Sequence, residues 1–482
     1  MRCTCGCKGW CTTHSILKYL EWLLTHLRIG IHPPCRHDGS SWASDDPCSR
    51  WAGQPLGFRA VVLQVKADWA EYCSLLGYRS WQHHTHPCFL CTCSGGPAGN
   101  IRNYDNISAV DFPWPLKDME VYRRVCADSE IIIEIKSKAE LEELLGYLVY
   151  REKKKFPAGR ILSADLDRHG LKRGDRLVPC DLHLDIACID AWEDLSRPRQ
   201  LKFWRGANGI VLAPNPLYRS STWLSPAALC VDEMHTMHLG TFAVYVACAL
   251  WKIVASDAWG IRGLDVASAN RANFDRVKQK LNAWYKVKGR EASKAGGRKI
   301  YPVDYFDLKC IGAEDSPSLS GPKAAQTGSL MLFVVDLLRE CWSSVVGGKA
   351  LLRCGECLER YLSITRKAGP RLRPGETQAL FDAILGFLSM RESAQLPWIP
   401  KMHLMVHLAH QAAVHGNPAY LATWHDEAVN MHFSKVCQAA HPIVFEKRVL
   451  ATLSHKFGPT SNPSRPGADP AEARPSKQQK RL

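Results

Sequence analysis

Apolar positions along this chain change their spacing several times, and each change predicts an element. Residues 16–27 put Leu17, Leu20, Leu23, Leu24 and Leu27 on one face of a helix, which Gly30 and the Pro33-Pro34 pair end. Residues 32–57 are rich in Pro, Gly, Ser and Asp and read as a loop. The β-branched stretch 58–67 predicts a strand that delivers Asp68 at its end, with a helix at 69–76 behind it. The plain alternative for Asp68 is an N-cap of that helix.

Further on, residues 94–130 look irregular, residues 137–155 carry Leu141, Leu144, Leu145 and Leu148 on one helical face, and residues 180–189 alternate as a strand would. Asp165 to Gly170 mimics the opening of a calcium loop, but the twelfth position is Arg176, so the segment reads as a basic loop. A short apolar segment leads into Cys230-Val-Asp-Glu-Met-His-Thr-Met-His-Leu-Gly240, and residues 241–259 are apolar nearly all round, as in a buried helix. Helices at 327–346, 351–367 and 377–390 complete an all-α block. A helix near 400–410 places His403 and His407 one turn apart on one face with His410 beside them, a setting for metal or phosphate. A last helix begins with Asp426 and Glu427, and the Pro-, Ser- and Gly-rich tail from 457 predicts disorder with a weak nuclear signal at its basic end.

Composition narrows the function classes. A chain of 482 residues, 46% hydrophobic and 23% charged, is globular and long enough for two or three domains. Its 62 basic and 47 acidic residues leave a formal charge of +15, and the pI near 9.0 points to a polyanionic partner, nucleic acid first. The basic part of residues 271–299 holds Arg276, Lys278, Lys280, Lys286, Lys288 and Arg290 among Phe274, Trp284 and Tyr285. Such cations neutralise phosphates while aromatics stack on bases; a solvated amphipathic face is the competing reading. The longest apolar run, 242–251, covers about half a membrane span and stops at Lys252, so no transmembrane helix is expected.

The 20 cysteines change the picture again. The opening Met-Arg-Cys-Thr-Cys-Gly-Cys lacks a signal-peptide core, so reduced thiols are expected, several of them zinc ligands. Cys3, Cys5, Cys7 and Cys11, with His14, form one candidate set. Cys88 and Cys91, directly after a His cluster that includes His86, have the spacing of a zinc knuckle, with His86, Cys93 or an N-terminal thiol completing it. A redox Cys-x-x-Cys competes but lacks the strand-to-helix setting. Cys354 and Cys357, on a helix, read as core thiols.

Three isolated carboxylates remain: Asp68 at a strand end, Asp232 at a strand-to-helix junction with His235 three residues on, and Glu427 on a late helix. Hard oxygen ligands from two strands and a helix suit a two-metal phosphoryl-transfer site. In order, Val65-Lys-Ala-Asp68-Trp69, the Pro87-Cys88-Phe-Leu-Cys91 knuckle, Val231-Asp-Glu-Met-His235 with Leu239-Gly240, His403 to His407, and Asp426-Glu427 with Asn430 resemble the transposase domain of CACTA (Tnp2-like) and Kyakuja-Dileera-Zisupton DNA transposons. The resemblance spans roughly 58–450. It implies an α/β, RNase H-like core interrupted by a large all-α insertion, with a cysteine-rich zinc region. It implies an acidic triad of Asp68, Asp232 and Glu427, His235 beside the metal, and His403 or His407 near the same pocket. Mg2+ or Mn2+ would serve that site and Zn2+ the knuckle; the partner would be DNA, in the nucleus, with the chain acting as a homo-oligomer.

The expected parts are a Cys-rich segment and helix (1–57), the RNase H-like core with its knuckle near 83–93 (58–240), the helical insertion (241–399), the C-terminal core helices (400–456) and the tail (457–482). Little room precedes Asp68 for a separate DNA-recognition domain, so a fragment or a decayed copy is expected. Two other functions compete with strand cleavage and transfer. One is a catalytically inactive, transposon-derived zinc protein that binds nucleic acid; the other is a zinc metallohydrolase built on Asp232, His235 and His403.

Overall fold

A computed structural model describes residues 10–76, 78, 80–82, 87–93, 114–122, 216–218, 225–261, 263–294, 299–439, 448–449 and 451–452. Outside them lie Cys3, Cys5, Cys7, His86, the expected helix 137–155, the basic loop at 165–176, the strand at 180–189 and the tail; of Cys11 only the helical backbone is described. The chain divides into two compact units, Arg2–Thr423 and Trp424–Leu482.

In the first unit, helix α1 (Trp10–Ile29) is longer than its leucine pattern predicts and buries Leu17, packing on the turn Pro216–Tyr218. Gly30, with φ 76°, ends it. The strand expected over 58–67 shrinks to β1 (Val65–Ala67). The residues before it are drawn to the end of α1 instead: Leu56 N donates to Gly30 O at 2.8 Å and Ala60 N to Leu27 O at 3.0 Å. Leu63 is left 76% exposed. Helix α2 (Trp69–Leu76) follows where expected.

β1 pairs in parallel with β2 (Leu229–Val231), in the register Val65 with Leu229, Lys66 with Cys230 and Ala67 with Val231. Each flank of this pair is braced by a side chain. The Tyr72 hydroxyl of α2 lies 2.7 Å from Val65 O and 2.8 Å from Cys230 O. On the outer edge of β2, Gln411 accepts from Val231 N at 2.8 Å and donates to Leu229 O at 2.7 Å, as a third strand would. Among the described residues these two strands are the whole sheet, so the expected α/β core is seen only as a small parallel pair within a mostly helical protein.

After β2 a π-helical segment (Met234–Thr241) runs directly into α3 (Phe242–Val254). Together they are long and apolar enough to cross a membrane, yet 78% of that span's most apolar window is buried inside the protein. Around it stand α4 (Val266–Ala292), α5 (Ala324–Cys341), α6 (Gly348–Lys367), α7 (Pro374–Met390) and α8 (Pro400–His415), close to the expected helical block. In α6 the buried positions Leu351, Cys354, Leu358, Tyr361, Leu362 and Thr365 recur at helical spacing and pack on α5 and α7. Cys354 is a core thiol as expected, buried and 3.9 Å from Phe387 O. A short helix α9 (Pro418–Leu421) leads to Thr423. In the second unit, α10 (Trp424–Ala439) carries Asp426 and Glu427 in its first turn.

Packing is close where α6 crosses α3 and α5. A Cβ on Gly355 would lie 2.1 Å from Tyr245 Oη and 2.6 Å from Val335 Cγ2. Gly355→Ala should therefore cost about 1–3 kcal/mol, read as a lower urea midpoint with an unchanged slope.

Candidate functional site

Two sites are built around α8, and the buried one is a cluster of metal-binding side chains. The segment 87–93 folds as a knuckle: Leu90 N donates to Cys88 Sγ at 3.3 Å, and Cys91 bridges Leu116 with Thr92 N on Pro115 O at 3.0 Å. Phe89 anchors it to α2, its ring centroid 4.6 Å from that of Tyr72. This fold turns Cys88, Cys91 and Cys93 towards His403, and one ligand atom from each of the four lies within 4.8 Å of all the others. All four residues are buried, so the group could hold a metal such as zinc.

His407, one turn along α8, adds a fifth donor, its Nε2 3.5 Å from Cys88 Sγ and 3.0 Å from His403 Nε2. Charge helps decide which four bind. Lys117 is buried and donates to the carbonyls of both Cys88 and Cys91. Three thiolates around a divalent ion carry a net −1, which the ammonium offsets; two thiolates and two imidazoles would leave it uncompensated. The charge balance favours Cys88, Cys91, Cys93 and His403 as the four that could hold the ion, with His407 beside them.

The electrostatics suit that assignment. Burial raises the Cys88 thiol, but hydrogen bonds from Cys91 and Cys93 and the two imidazoles outweigh it and hold it well below the ordinary thiol value. Burial and the neighbouring thiols push Cys91 far up. Burial drops His403 to about 4, which keeps it neutral and able to act as a ligand at pH 7.

The second site lies at the carboxyl ends of the paired strands. Because Ala67 pairs with Val231, Asp68 and Asp232 leave the sheet side by side. Asp232 is 4% exposed, yet its oxygens are fully partnered: Oδ1 accepts from Thr423 N at 2.8 Å and Met234 N at 3.2 Å, and Oδ2 from Thr423 Oγ1 at 3.0 Å and His235 N at 3.0 Å. Burial raises this carboxyl, but the hydrogen bonds from His235 and Thr423 prevail and hold it below the ordinary carboxylate value.

The His235 imidazole fills the gap between the acids, Nδ1 paired with Asp232 Oδ2 and Nε2 4.0 Å from Asp68 Oδ2. The N-cap reading of Asp68 holds: its Oδ1 caps α2 by accepting from Glu71 N at 2.6 Å, while Oδ2 faces His235. Lys401, in the first turn of α8, donates to Leu239 O at 3.2 Å. Burial lowers its amine while Asp68 and Asp232 pull it up. Behind Asp232, burial pushes Glu233 up to about 7, against the pull of Arg366, and Tyr361 donates to it at 3.4 Å.

Comparison with protein-family models, curated proteins and solved structures returns no match. The assignment of roles therefore rests on this geometry.

Several expectations change. His403 and His407 do not join the acidic pocket; they belong to the thiol cluster, because α8 turns that face towards the knuckle. A metallohydrolase set of Asp232, His235 and His403 is likewise not brought together. Cys93 completes the knuckle with His403, and His86 and the N-terminal thiols lie outside the described residues.

On α4, Lys280 pairs with Glu340 at 2.5 Å, Lys288 with Glu291 at 3.1 Å, and Arg276 bonds Gln279 at 3.1 Å; Lys278 is half-buried. Trp284 donates to Asp336 at 2.8 Å and packs on Phe333, and Tyr285 accepts from Val303 N, so these rings serve packing and are not free for base stacking. Arg276, Lys286 and Arg290 stay exposed. Thr423, Gln411, Lys117 and Lys401 escaped the sequence reading. Only Lys401, two residues before His403, had a position that could have flagged it.

Cys88→Ser with Cys91→Ser should abolish bound zinc, measured as metal content of the purified protein; unchanged stoichiometry would remove the cluster from metal binding. Cys93→Ser should weaken zinc far more than His407→Ala, for which a loss of about 10–100-fold is expected of an outer partner.

Proposed function

We propose that this protein is a metal-dependent DNA strand-cleaving and strand-joining enzyme of the transposase type, with Asp68, Asp232 and Glu427 as its acidic residues. The observation that carries the reading is the parallel pairing that sets Asp68 beside Asp232 at the ends of adjacent strands. An RNase H-like core, of which β1 and β2 would be one pair, and a nuclear DNA substrate are parts of the same proposal. Gln411 on the edge of β2 requires that any further strands extend the sheet beyond β1.

Asp68 Oδ2 borders a gap now filled by an imidazole, and a hard divalent cation there would have to displace hydrogen-bond donors from Asp232, whose oxygens are both occupied. Magnesium or manganese there would supply charge stabilisation and activation of water or a 3′-hydroxyl for in-line attack. The chain's own residues prepare for this. Thr423 and the backbone of residues 234–235 keep Asp232 ionised and fixed in place. His235 must turn aside to open the gap, which places it next to the substrate. Glu427, in the first turn of α10, is the third carboxylate of this reading. The buried thiol cluster has a structural part, fixing α8.

The exposed cations of α4 support DNA as the partner. Arg276, Lys286 and Arg290 recur on one helical stripe and would contact phosphates without reading sequence.

The direct test is nicking of duplex DNA with Mg2+ or Mn2+. Asp232→Asn should lower the rate by about a hundredfold to a thousandfold, since a metal's charge stabilisation is worth several kcal/mol. Equal rates would remove Asp232 from the chemistry and favour a zinc-structured protein that only binds nucleic acid. Separately, replacing Arg276, Lys286 and Arg290 together by Ala should reduce the slope of log K against log salt by about 3 if each neutralises one phosphate.

A further inference from the structure

Asp232 meets more hydrogen-bond donors than it has places for. An ionised carboxylate offers about four lone-pair sites. Oδ1 accepts from Met234 N and Thr423 N, while Oδ2 faces His235 N, the Thr423 hydroxyl and the His235 ring. Any cation that binds this carboxylate must displace a donor, and the donors differ in what holds them.

The amides of Met234 and His235 belong to the turn that opens the π-helical segment, so they cannot leave without unwinding it. Thr423 N is fixed from elsewhere. Asn417, the N-cap of α9, donates through Nδ2 to Thr365 O at 2.8 Å and Gly369 O at 3.1 Å, and through its own N to Pro370 O at 2.8 Å. Residues 417–423 thus form a strap moored at the end of α6, and its last residue meets Asp232. The two side-chain donors are free of such ties, because each swings about χ1 with its backbone in place. Both sit on Oδ2. Turning His235 out of the gap therefore uncovers an oxygen that the Thr423 hydroxyl still holds at 3.0 Å.

That hydroxyl is not needed to satisfy the buried charge. Three amides, one of them from Thr423 itself, and the imidazole already fill the acceptor sites of Asp232. The hydroxyl is the surplus donor, placed on the one oxygen that side-chain rotation alone can open.

We infer that the Thr423 hydroxyl is an autoinhibitory latch on the acidic site, competing with a divalent cation for Asp232 Oδ2. The inference rests on the reading of Asp68 and Asp232 as a cation site. The site then stays closed at cation concentrations that an unlatched pair would capture, since affinity falls in proportion to the fraction of molecules that stand open. No covalent bond changes: when the cation binds, Thr423 keeps its proton and gives up Oδ2. Thr423 is thus a positioning residue that acts through Asp232.

The test is a titration of the zinc-loaded, full-length protein with Mn2+, following the spectroscopic signal of the free ion. Wild type is compared with Thr423→Val, Thr423→Ala and Thr423→Ser, each first matched to it in zinc content and thermal midpoint. Asp232→Asn identifies which binding belongs to this site. Thr423→Val should bind Mn2+ about tenfold more tightly, as expected from losing one hydrogen bond to a charged group, and Thr423→Ser should bind as wild type does. Thr423→Ala also lacks the hydroxyl and carries the same comparison if the valine does not fold.

A merely structural hydroxyl moves the affinity the other way, because its loss leaves Asp232 less well held. If the valine and alanine variants bind Mn2+ as wild type does, or more weakly, the latch is overturned while the cation reading stands. If neither wild type nor these variants show binding that Asp232→Asn removes, the cation reading itself is overturned and the latch falls with it.

Discussion

Three residues of parallel backbone pairing carry the arrangement of the acidic site. Val65–Ala67 and Leu229–Val231 come from distant parts of the chain, and their register alone puts Asp68 beside Asp232. So short a ladder cannot hold itself, and its support is side-chain chemistry: Tyr72 beneath both strands and the Gln411 amide on the outer edge of β2. Once the register is set, His235 has only one gap to fill and Thr423 one carboxylate to bind.

α8 joins this ladder to the thiol cluster. Lys401 binds Leu239 O behind Asp232 in the sequence, His403 and His407 turn to the knuckle, and Gln411 holds β2, so one helix spaces all three. Burying three thiols against a lysine and two imidazoles is costly unless an ion gathers their charge. A metal in the cluster would thus fix the position of groups that it never touches.

Much of the helical architecture was legible in the sequence because its apolar positions repeat at helical spacing, as in α6 and α7. The strand before Asp68 was overread because β-branched composition reports propensity and not partners. The peptide groups of Leu56 and Ala60 bond to the end of α1, which no local pattern announces. Of the candidate residues, Cys88, Cys91, Asp68 and Asp232 stood out by motif or by position at a strand end. Cys93 was already one of the candidates for completing the knuckle, His403 joined it only through tertiary folding, and the two histidines of α8 were assigned to the wrong pocket because spacing fixes a face and not its neighbour. Lys117 and Gln411 are ordinary residues whose importance comes entirely from where the chain places them.

The Gln411 amide has one more effect. An open strand edge is a template on which another copy of the same chain can add, and short parallel pairs with apolar neighbours are exposed to such addition during folding. By presenting both a donor and an acceptor at peptide spacing, one glutamine side chain ends the hydrogen-bonding pattern of β2 there and leaves an incoming strand nothing to copy. The same residue that steadies the acidic site thereby guards this flank of the sheet against self-association.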